Sequence, residues 1–183
     1  MEKYIANLGK LIIATSVAFL IFIYYPIISI YLFPTPIQNN LSNQSWYITI
    51  PKIYAQAPII PNVNAWDKTS YDKALEGGVA AASGFSLPGQ GGTIFLFAHS
   101  SQDPWKITRL NTAFLRLNEL NLGDQISITN QGKEYRYKVV DKKEVWPNEV
   151  KYLQTNSGEQ LILQTCTPIG TSLKRLLVFA KPV

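Results

Sequence analysis

Three residues that can take part in acyl-transfer chemistry lie at the ends of predicted buried strands. His99 follows the apolar run TIFLFA, Cys166 follows the run LILQT, and Arg175 opens the run RLLVFA. A thiolate is a strong nucleophile, an imidazole can move a proton near neutral pH, and guanidinium N–H groups can stabilise an oxyanion. If folding brings them together, these side chains supply a nucleophile, a proton carrier and an electrostatic clamp for one carbonyl group.

The chain has one cysteine and one histidine among its 183 residues. That count excludes an intrachain disulfide framework and the usual four-ligand Cys/His zinc site. It also leaves a competing interpretation, because a lone cysteine is often a buried and inert core residue. The net charge of +5 is spread along the chain, which argues against a nucleic-acid-binding protein.

The beginning of the chain is a candidate membrane anchor. Leu11–Phe33 contains no charged residue, and a helix of that length covers a hydrocarbon core of roughly 30 Å. Lys3 and Lys10 precede this run, and the next basic residue is Lys52. The positive-inside rule therefore places residues 1–10 in the cytoplasm and the rest of the chain outside the cell membrane. A cleaved signal peptide and a buried core helix are the alternatives, and the length of the run disfavours both.

Residues 34–45 are predicted to be a linker, because PTPIQNNLSNQS is rich in proline, asparagine, glutamine and serine. Residues 46–183 then form one domain with a mainly β pattern and one helix predicted over Thr108–Leu120. Seven or eight short strands favour a barrel or a sandwich. The clearest strands are predicted at Tyr47–Tyr54, Ala57–Val63, Thr93–Ala98, Gln125–Thr129, Glu134–Val140, Leu161–Thr165 and Leu176–Ala180.

The residues around Cys166 resemble the signature of the sortase family. The run LILQTC, followed by the strand that begins at Arg175, is similar to the T-L-x-T-C strand end and the arginine-bearing strand of that family. Upstream, FAHSS resembles the histidine element of the family. Phe114–Asp124 resembles its F-x-x-L-x-x-L-x-x-G-D stretch. The resemblance extends from Ile50 to Ala180, which is nearly the whole predicted domain.

Sortases are membrane-anchored cysteine transpeptidases of bacterial surfaces. The resemblance therefore implies a closed eight-stranded β-barrel with short helices, preceded by one N-terminal transmembrane helix. It implies that Cys166 is the nucleophile, His99 the proton donor and acceptor, and Arg175 the group that stabilises the oxyanion or the substrate. Thr165 is expected to line the substrate groove. The implied reaction cleaves an LPxTG-like sorting signal of a surface protein through a thioester and transfers the acyl group to an amine of the cell wall or of another protein.

Two other functions stay open at this point. One is a non-catalytic, membrane-tethered barrel that binds wall components. The other is a different cysteine peptidase or an L,D-transpeptidase, although the S-x-G-C element of the latter is missing. No cofactor is predicted. The acidic residues between Asp141 and Glu159 could hold calcium, as in some relatives, but their spacing does not match a set of calcium ligands. No second apolar segment follows Ala180, which favours a protein-anchoring role over pilus polymerisation.

Overall fold

The computed structural model describes residues 2–37, 46–100, 107–153 and 158–183. These residues form a long N-terminal helix and a closed barrel of eight strands, as predicted. The helices are α1 (Glu2–Leu32) and α2 (Lys68–Gly77), and the strands are β1 (Tyr47–Ile50), β2 (Ala55–Val63), β3 (Val79–Ala82), β4 (Thr93–Phe97), β5 (Gln125–Asn130), β6 (Lys133–Val145), β7 (Gln160–Thr167) and β8 (Lys174–Pro182). Around the barrel the strand order is β1-β2-β3-β4-β7-β8-β6-β5. The predicted linker falls mostly on residues 38–45, which lie outside the described residues.

β5 and β6, both predicted as strands, form a hairpin around a two-residue turn. Asn130 pairs with Lys133, and the two residues between them have positive φ values, 48° at Gln131 and 79° at Gly132. A two-residue hairpin turn with positive φ at both positions has the twist that joins antiparallel strands. Glycine adopts this conformation without strain, so the Gln131-Gly132 pair sets the register of β5 and β6.

β2 and β3 are parallel, and α2 is the crossover that joins them. Parallel neighbours need such a connection because a tight turn can only reverse the chain. The sequence analysis predicted neither α2 nor β3. The strand is Val-Ala-Ala-Ala, which has low β propensity apart from Val79, and only Tyr71, Ala74 and Leu75 supply an apolar face for α2.

Two other predicted elements differ from the structure. The strand predicted at Tyr47–Tyr54 ends at Ile50, because Pro51 begins a short 3₁₀ turn. The helix predicted over Thr108–Leu120 is wrong: the segment is a series of turns that ends in a 3₁₀ helix at Leu117–Glu119.

The segment from Thr108 begins as a capped helical turn but does not continue as an α-helix. The Thr108 N–H donates to Asn111 Oδ1 at 2.8 Å, and the Asn111 N–H donates to Thr108 Oγ1 at 3.2 Å. The Thr112 hydroxyl also donates to the Thr108 carbonyl at 2.6 Å. The reciprocal Thr108–Asn111 pair is typical of a helix N-terminus. Further along, the backbone bonds from Leu115 to Thr112 and from Leu117 to Phe114 span three residues, as in turns and 3₁₀ helices. The apolar periodicity alone was therefore misleading.

The strands of the barrel carry apolar side chains on both faces. The interior core fills the barrel and includes Ile94, Leu96, Ile126, Leu161, Leu163 and Val178. A second group, here called the outer cluster, lies outside the barrel and consists of Val63, Ala74, Leu75, Ala80, Ala82, Phe95, Phe97, Val145, Ile162, Leu177 and Phe179. Because strand side chains alternate between faces, one strand contributes to both groups.

Within the described residues, α1 is long and apolar enough to cross a membrane over Ala6–Leu32. None of its apolar window is buried against the rest of the chain, which decides against the core-helix alternative. Its C-terminal end contacts the barrel through Arg109, whose Nη2 donates to the carbonyls of Phe33 at 2.6 Å and Ser29 at 3.4 Å. A cation at this position also complements the negative end of the helix dipole.

Candidate active site

The ends of β4 and β7 lie side by side at one end of the barrel. The two strands are parallel, with Phe97 opposite Gln164, and the Ala98 N–H donates to the Gln164 carbonyl at 3.1 Å. Two residues further along each strand, the same register places His99 beside Cys166. The imidazole and the thiol, which are far apart in sequence, are therefore carried on neighbouring segments.

Arg175 lies on the other side of Cys166. β7 and β8 are antiparallel with these two residues directly opposite each other, and such cross-strand partners have Cβ atoms roughly 4.5–5.5 Å apart. Arg175 Nη1 donates to the carbonyls of Ser172 at 2.9 Å and Lys174 at 3.2 Å. These bonds hold the guanidinium at the start of β8, and its Nε and Nη2 carry further N–H donors. Three adjacent segments thus present imidazole, thiol and guanidinium in that order.

All three side chains belong to the outer face of the barrel. Residues separated by an even number along a strand lie on the same face. Each candidate is an even number of residues from a member of the outer cluster: His99 from Phe97, Cys166 from Ile162, and Arg175 from Leu177. The structure therefore brings the three predicted residues to one surface, next to an apolar patch.

Thr165 lies on the opposite face from Cys166 and is buried, with 4% of its surface exposed. Its hydroxyl donates to the Ala98 carbonyl at 3.0 Å. This bond ties the end of β4 to β7 immediately before the imidazole and the thiol. The observed role of Thr165 is to join the two segments that carry His99 and Cys166, and its predicted contact with substrate stays a prediction.

The environment of His99 sets its protonation state. Partial burial lowers the pKa of the imidazole from its ordinary value, and the carboxylate of Asp72 on α2 opposes part of that shift. At pH 7 the side chain is therefore mostly neutral. A neutral imidazole beside a thiol can accept its proton, which is the first requirement for forming a nucleophilic thiolate.

A cavity of about 440 Å³ opens beside Cys166. It is lined on the interior side by Thr165 and Leu176, and further out by Asn118 and Glu144. Because Thr165 and Leu176 face the inside of the barrel, the cavity and the outer cluster lie on opposite sides of β7 and β8. Cys166 itself lines the cavity, together with Thr167, Pro168 and Ile169.

The sequence analysis missed Tyr71. Its ring meets the imidazole of His99 edge-on, with centroids 6.1 Å apart and an interplanar angle of 84°. No local motif marks this residue, because its position depends on the fold of α2 across the outer cluster. Among the described residues, no group of three or more His, Cys, Asp or Glu is placed to hold a metal ion.

Comparison with known proteins identifies the family to which the barrel belongs. A family model described as Sortase domain matches residues 48–183, well over half of the chain. The chain belongs to the sortase family. The match decides against the L,D-transpeptidase alternative, and it covers β1 to β8 together with the segments that carry His99, Cys166 and Arg175.

Among curated proteins, the sortase chain is 31% identical over 143 residues to Sortase D of Bacillus subtilis (strain 168). The alignment covers 76% of this chain and 64% of that relative. This chain is also 24% identical over 131 residues to Sortase A of Bacillus anthracis, and that alignment covers 72% of this chain and 56% of the relative. The chain thus spans less than two thirds of the length of these two relatives.

Solved sortase structures share the barrel. A lid mutant of Sortase A from Corynebacterium diphtheriae superimposes on this chain with a TM-score of 0.65 at 30% identity. The superposition covers 80% of this chain and 73% of the Corynebacterium chain. Sortase C1 of Streptococcus agalactiae gives a TM-score of 0.64 at 29% identity, with coverages of 80% and 70%. The fold predicted from the strand pattern and the resemblance is therefore confirmed.

Proposed function

We propose that this sortase is a cysteine transpeptidase that exchanges one peptide bond of a surface protein for a new amide bond. The observation that carries the proposal is the order of side chains on adjacent segments: His99 beside Cys166, and Cys166 opposite Arg175. A nucleophile, a proton carrier and a donor of hydrogen bonds to an oxyanion then surround one carbonyl position. Membership of the sortase family supports the same reaction class.

In the first half-reaction, His99 takes the proton of Cys166 and the thiolate attacks a backbone carbonyl of the substrate. The carbonyl oxygen becomes an oxyanion that accepts hydrogen bonds from Arg175. The C–N bond then breaks, the leaving amine takes the proton from the imidazolium, and the acyl group remains on sulfur as a thioester.

In the second half-reaction, an amine attacks the thioester and His99 accepts a proton from it. The C–S bond breaks when the tetrahedral intermediate collapses, and Cys166 leaves as the thiolate. The cavity beside Cys166 provides a route for this amine while the acyl peptide occupies the outer face.

The surface beside Cys166 suits an extended peptide with apolar side chains. Tyr71, Tyr152 and Leu153 are partly buried against the outer cluster, and Gln164 lies between that cluster and the thiol on the outer face of β7. Apolar and aromatic walls with few polar groups are typical of peptide and ligand sites. We propose an LPxTG-like sorting signal as the donor, and an amine of a cell-wall precursor or a protein lysine as the acceptor.

The apolar α1 fits a single-pass membrane anchor. We propose that its N-terminus lies in the cytoplasm and that the barrel is extracytoplasmic, because Lys3 and Lys10 both precede the uncharged run. In that orientation the site meets surface proteins and wall precursors as they emerge outside the membrane.

The proposal is tested by incubating the full-length protein in detergent with LPxTG-containing peptides and a glycine-based amine. Mass spectrometry should detect an acyl group on Cys166 and then the peptide–amine product. A library of related peptides extends the same measurement to the preferred sorting motif. Because the chain has one cysteine, an acyl-enzyme mass identifies the site without ambiguity.

Thiol labelling with iodoacetamide provides an independent measure of activation. We expect the native protein to react faster than the denatured chain, since His99 beside the thiol can accept its proton as the sulfur is alkylated. Leu122→Ala, at a side chain with 69% of its surface exposed, is the control for handling and should behave as the wild type. No acyl-enzyme with any peptide, together with labelling no faster than in the denatured chain, would instead favour the non-catalytic wall-binding barrel.

A further inference from the structure

α2 places an aromatic ring on the outer cluster next to the site. Ala74 and Leu75 on this helix are buried in the cluster, and Tyr71 lies three and four residues before them. Positions with this spacing share one helix face, so Tyr71 also faces the barrel. Its ring is stacked on Phe97 with centroids 5.3 Å apart and an interplanar angle of 13°.

The same ring forms a wall against the imidazole. His99 lies two residues beyond Phe97 on the same face, and its ring is perpendicular to that of Tyr71 at 6.1 Å. Two aromatic rings attract each other in an edge-to-face arrangement at this distance, so the contact favours one relative orientation of the two rings. Tyr71 thus restricts rotation of the imidazole and covers part of it from solvent.

The other groups of the site also act on Tyr71. Burial raises the pKa of its hydroxyl, the charge of the Cys166 thiolate raises it further, and Arg175 lowers it. The phenol therefore stays protonated at neutral pH and adds no negative charge beside the thiolate. The ring is placed where it can affect proton transfer without itself titrating.

We propose that Tyr71 is a positioning residue for His99, and that its ring holds the imidazole in the orientation needed to pass a proton between Cys166 and the amine. This inference rests on the proposed function and adds a residue to it. The ring carries the role, so phenylalanine should replace tyrosine. A misplacement of about 1 Å in a catalytic group lowers rates by up to roughly 100-fold, which sets the scale of the expected effect.

The titration of His99 provides a direct test, because it is the only histidine in the chain. Full-length protein with isotope-labelled histidine is followed by NMR in detergent micelles as the pH is varied. In Tyr71→Leu the imidazole becomes more exposed to water, so its pKa should rise towards the ordinary value. Tyr71→Phe should titrate as the wild type. Among the residues that the structure describes, the charged and titratable groups near the imidazole are Asp72 on α2, Cys166 on β7 and Arg175 on β8. All three are present in every variant.

Kinetics on the same variants give the second readout. Tyr71→Leu should lower kcat by about 10- to 100-fold with a smaller change in KM, because the substrate still binds while proton transfer is misaligned. Tyr71→Phe should stay within about threefold of the wild type by the same reasoning. Rescue by phenylalanine distinguishes ring positioning from hydrogen bonding by the hydroxyl.

Phe85→Leu is the matched control. The ring of Phe85 packs against the outer cluster with its centroid 5.2 Å from that of Phe95. It therefore resembles Tyr71, which stacks on Phe97, but it lies beside Phe95 and not beside His99. The Phe85→Leu substitution should leave both the titration of His99 and kcat unchanged, even if it lowers the stability of the fold.

Two results would overturn the inference: a wild-type titration and kcat in Tyr71→Leu, or an equal loss in Tyr71→Phe. Absence of an acyl-enzyme in the wild type would instead defeat the proposed function. The titration uses no substrate, so the two failures are distinguishable.

Discussion

The interior core and the outer cluster lie on opposite faces of the same strands and differ in what they border. In β7, Leu161 and Leu163 point into the closed barrel, whereas Ile162 lies in the outer cluster and Cys166 follows it on that face. Most of the interior core contacts only other buried side chains, although Leu176 at its edge also lines the cavity beside Cys166. The outer cluster ends at the candidate active site. Substitutions on alternate residues of one strand should therefore separate effects on catalysis from effects on stability.

The largest expected effect is on the outer face, at the nucleophile. Cys166→Ala should abolish acyl transfer, with a loss of at least about 1,000-fold, because no other group in the proposed mechanism can form the thioester. Cys166 is only partly buried, so the free energy of unfolding should change by less than about 1 kcal/mol. Product formation is measured by mass spectrometry and stability by urea denaturation. Substantial remaining transfer would remove the thiol from the mechanism.

Arg175 should give the next largest effect. Arg175→Gln removes the charge and most donors at the oxyanion position, and loss of such stabilisation typically lowers kcat by about 100- to 1,000-fold. Arg175→Lys keeps the charge but loses the two-pronged geometry, so an intermediate loss is expected. The measurement is kcat with a saturating peptide.

Lys174→Gln is the control for the loss of a positive charge at the start of β8. The Lys174 ammonium lies 5.3 Å from the ring centroid of Trp146 and 3.8 Å from the Glu144 carboxylate. In the strand register Lys174 is opposite Thr167, whereas Arg175 is opposite Cys166. We expect its kcat to stay within about threefold of the wild type, since surface charges contribute little. Equal losses in Lys174→Gln and Arg175→Gln would show that Arg175 acts through net charge alone.

On the interior face of the same strand, the effect should be on stability. Leu163 is fully buried, and Leu163→Ala should lower the free energy of unfolding by about 2–5 kcal/mol by leaving a cavity. The folded fraction should keep its kcat, since the side chain points away from Cys166. Urea denaturation and assays below the unfolding transition check both statements. A large fall in kcat with intact folding would show that the two faces are coupled.

The difference between the interior core and the outer cluster also explains which features could be predicted from the sequence. Strands that carry the interior core contain continuous or alternating apolar runs, so the positions of His99, Cys166 and Arg175 at strand ends were visible from the sequence. The sequence did not show that these side chains lie close together, because their proximity depends on the parallel pairing of β4 with β7. The resemblance to sortases supplied that step.

The elements over the outer cluster were the ones missed or misread. β3 is mostly alanine and α2 has few apolar residues, so neither gives a strong local signal. Tyr71 acquires its place only when the β2–α2–β3 crossover folds over the barrel. The turns after Thr108 were predicted as a helix because the same apolar spacing fits both an α-helix and a series of turns whose backbone bonds span three residues.

The smallest expected effect is the contribution of His99 to the pH dependence of stability. Burial lowers its pKa in the folded chain relative to the unfolded chain, so the unfolded chain binds the proton more readily. Stability should therefore fall as the pH drops below the ordinary histidine value of about 6.5, and level off below the folded pKa. His99→Gln lacks this group, and its urea midpoint should fall less than that of the wild type between pH 7.5 and 5.5. If the urea midpoints of the two proteins change in parallel with pH, the imidazole is as well solvated in the folded chain as in the unfolded chain. The edge of the outer cluster would then have no effect on the charge of His99.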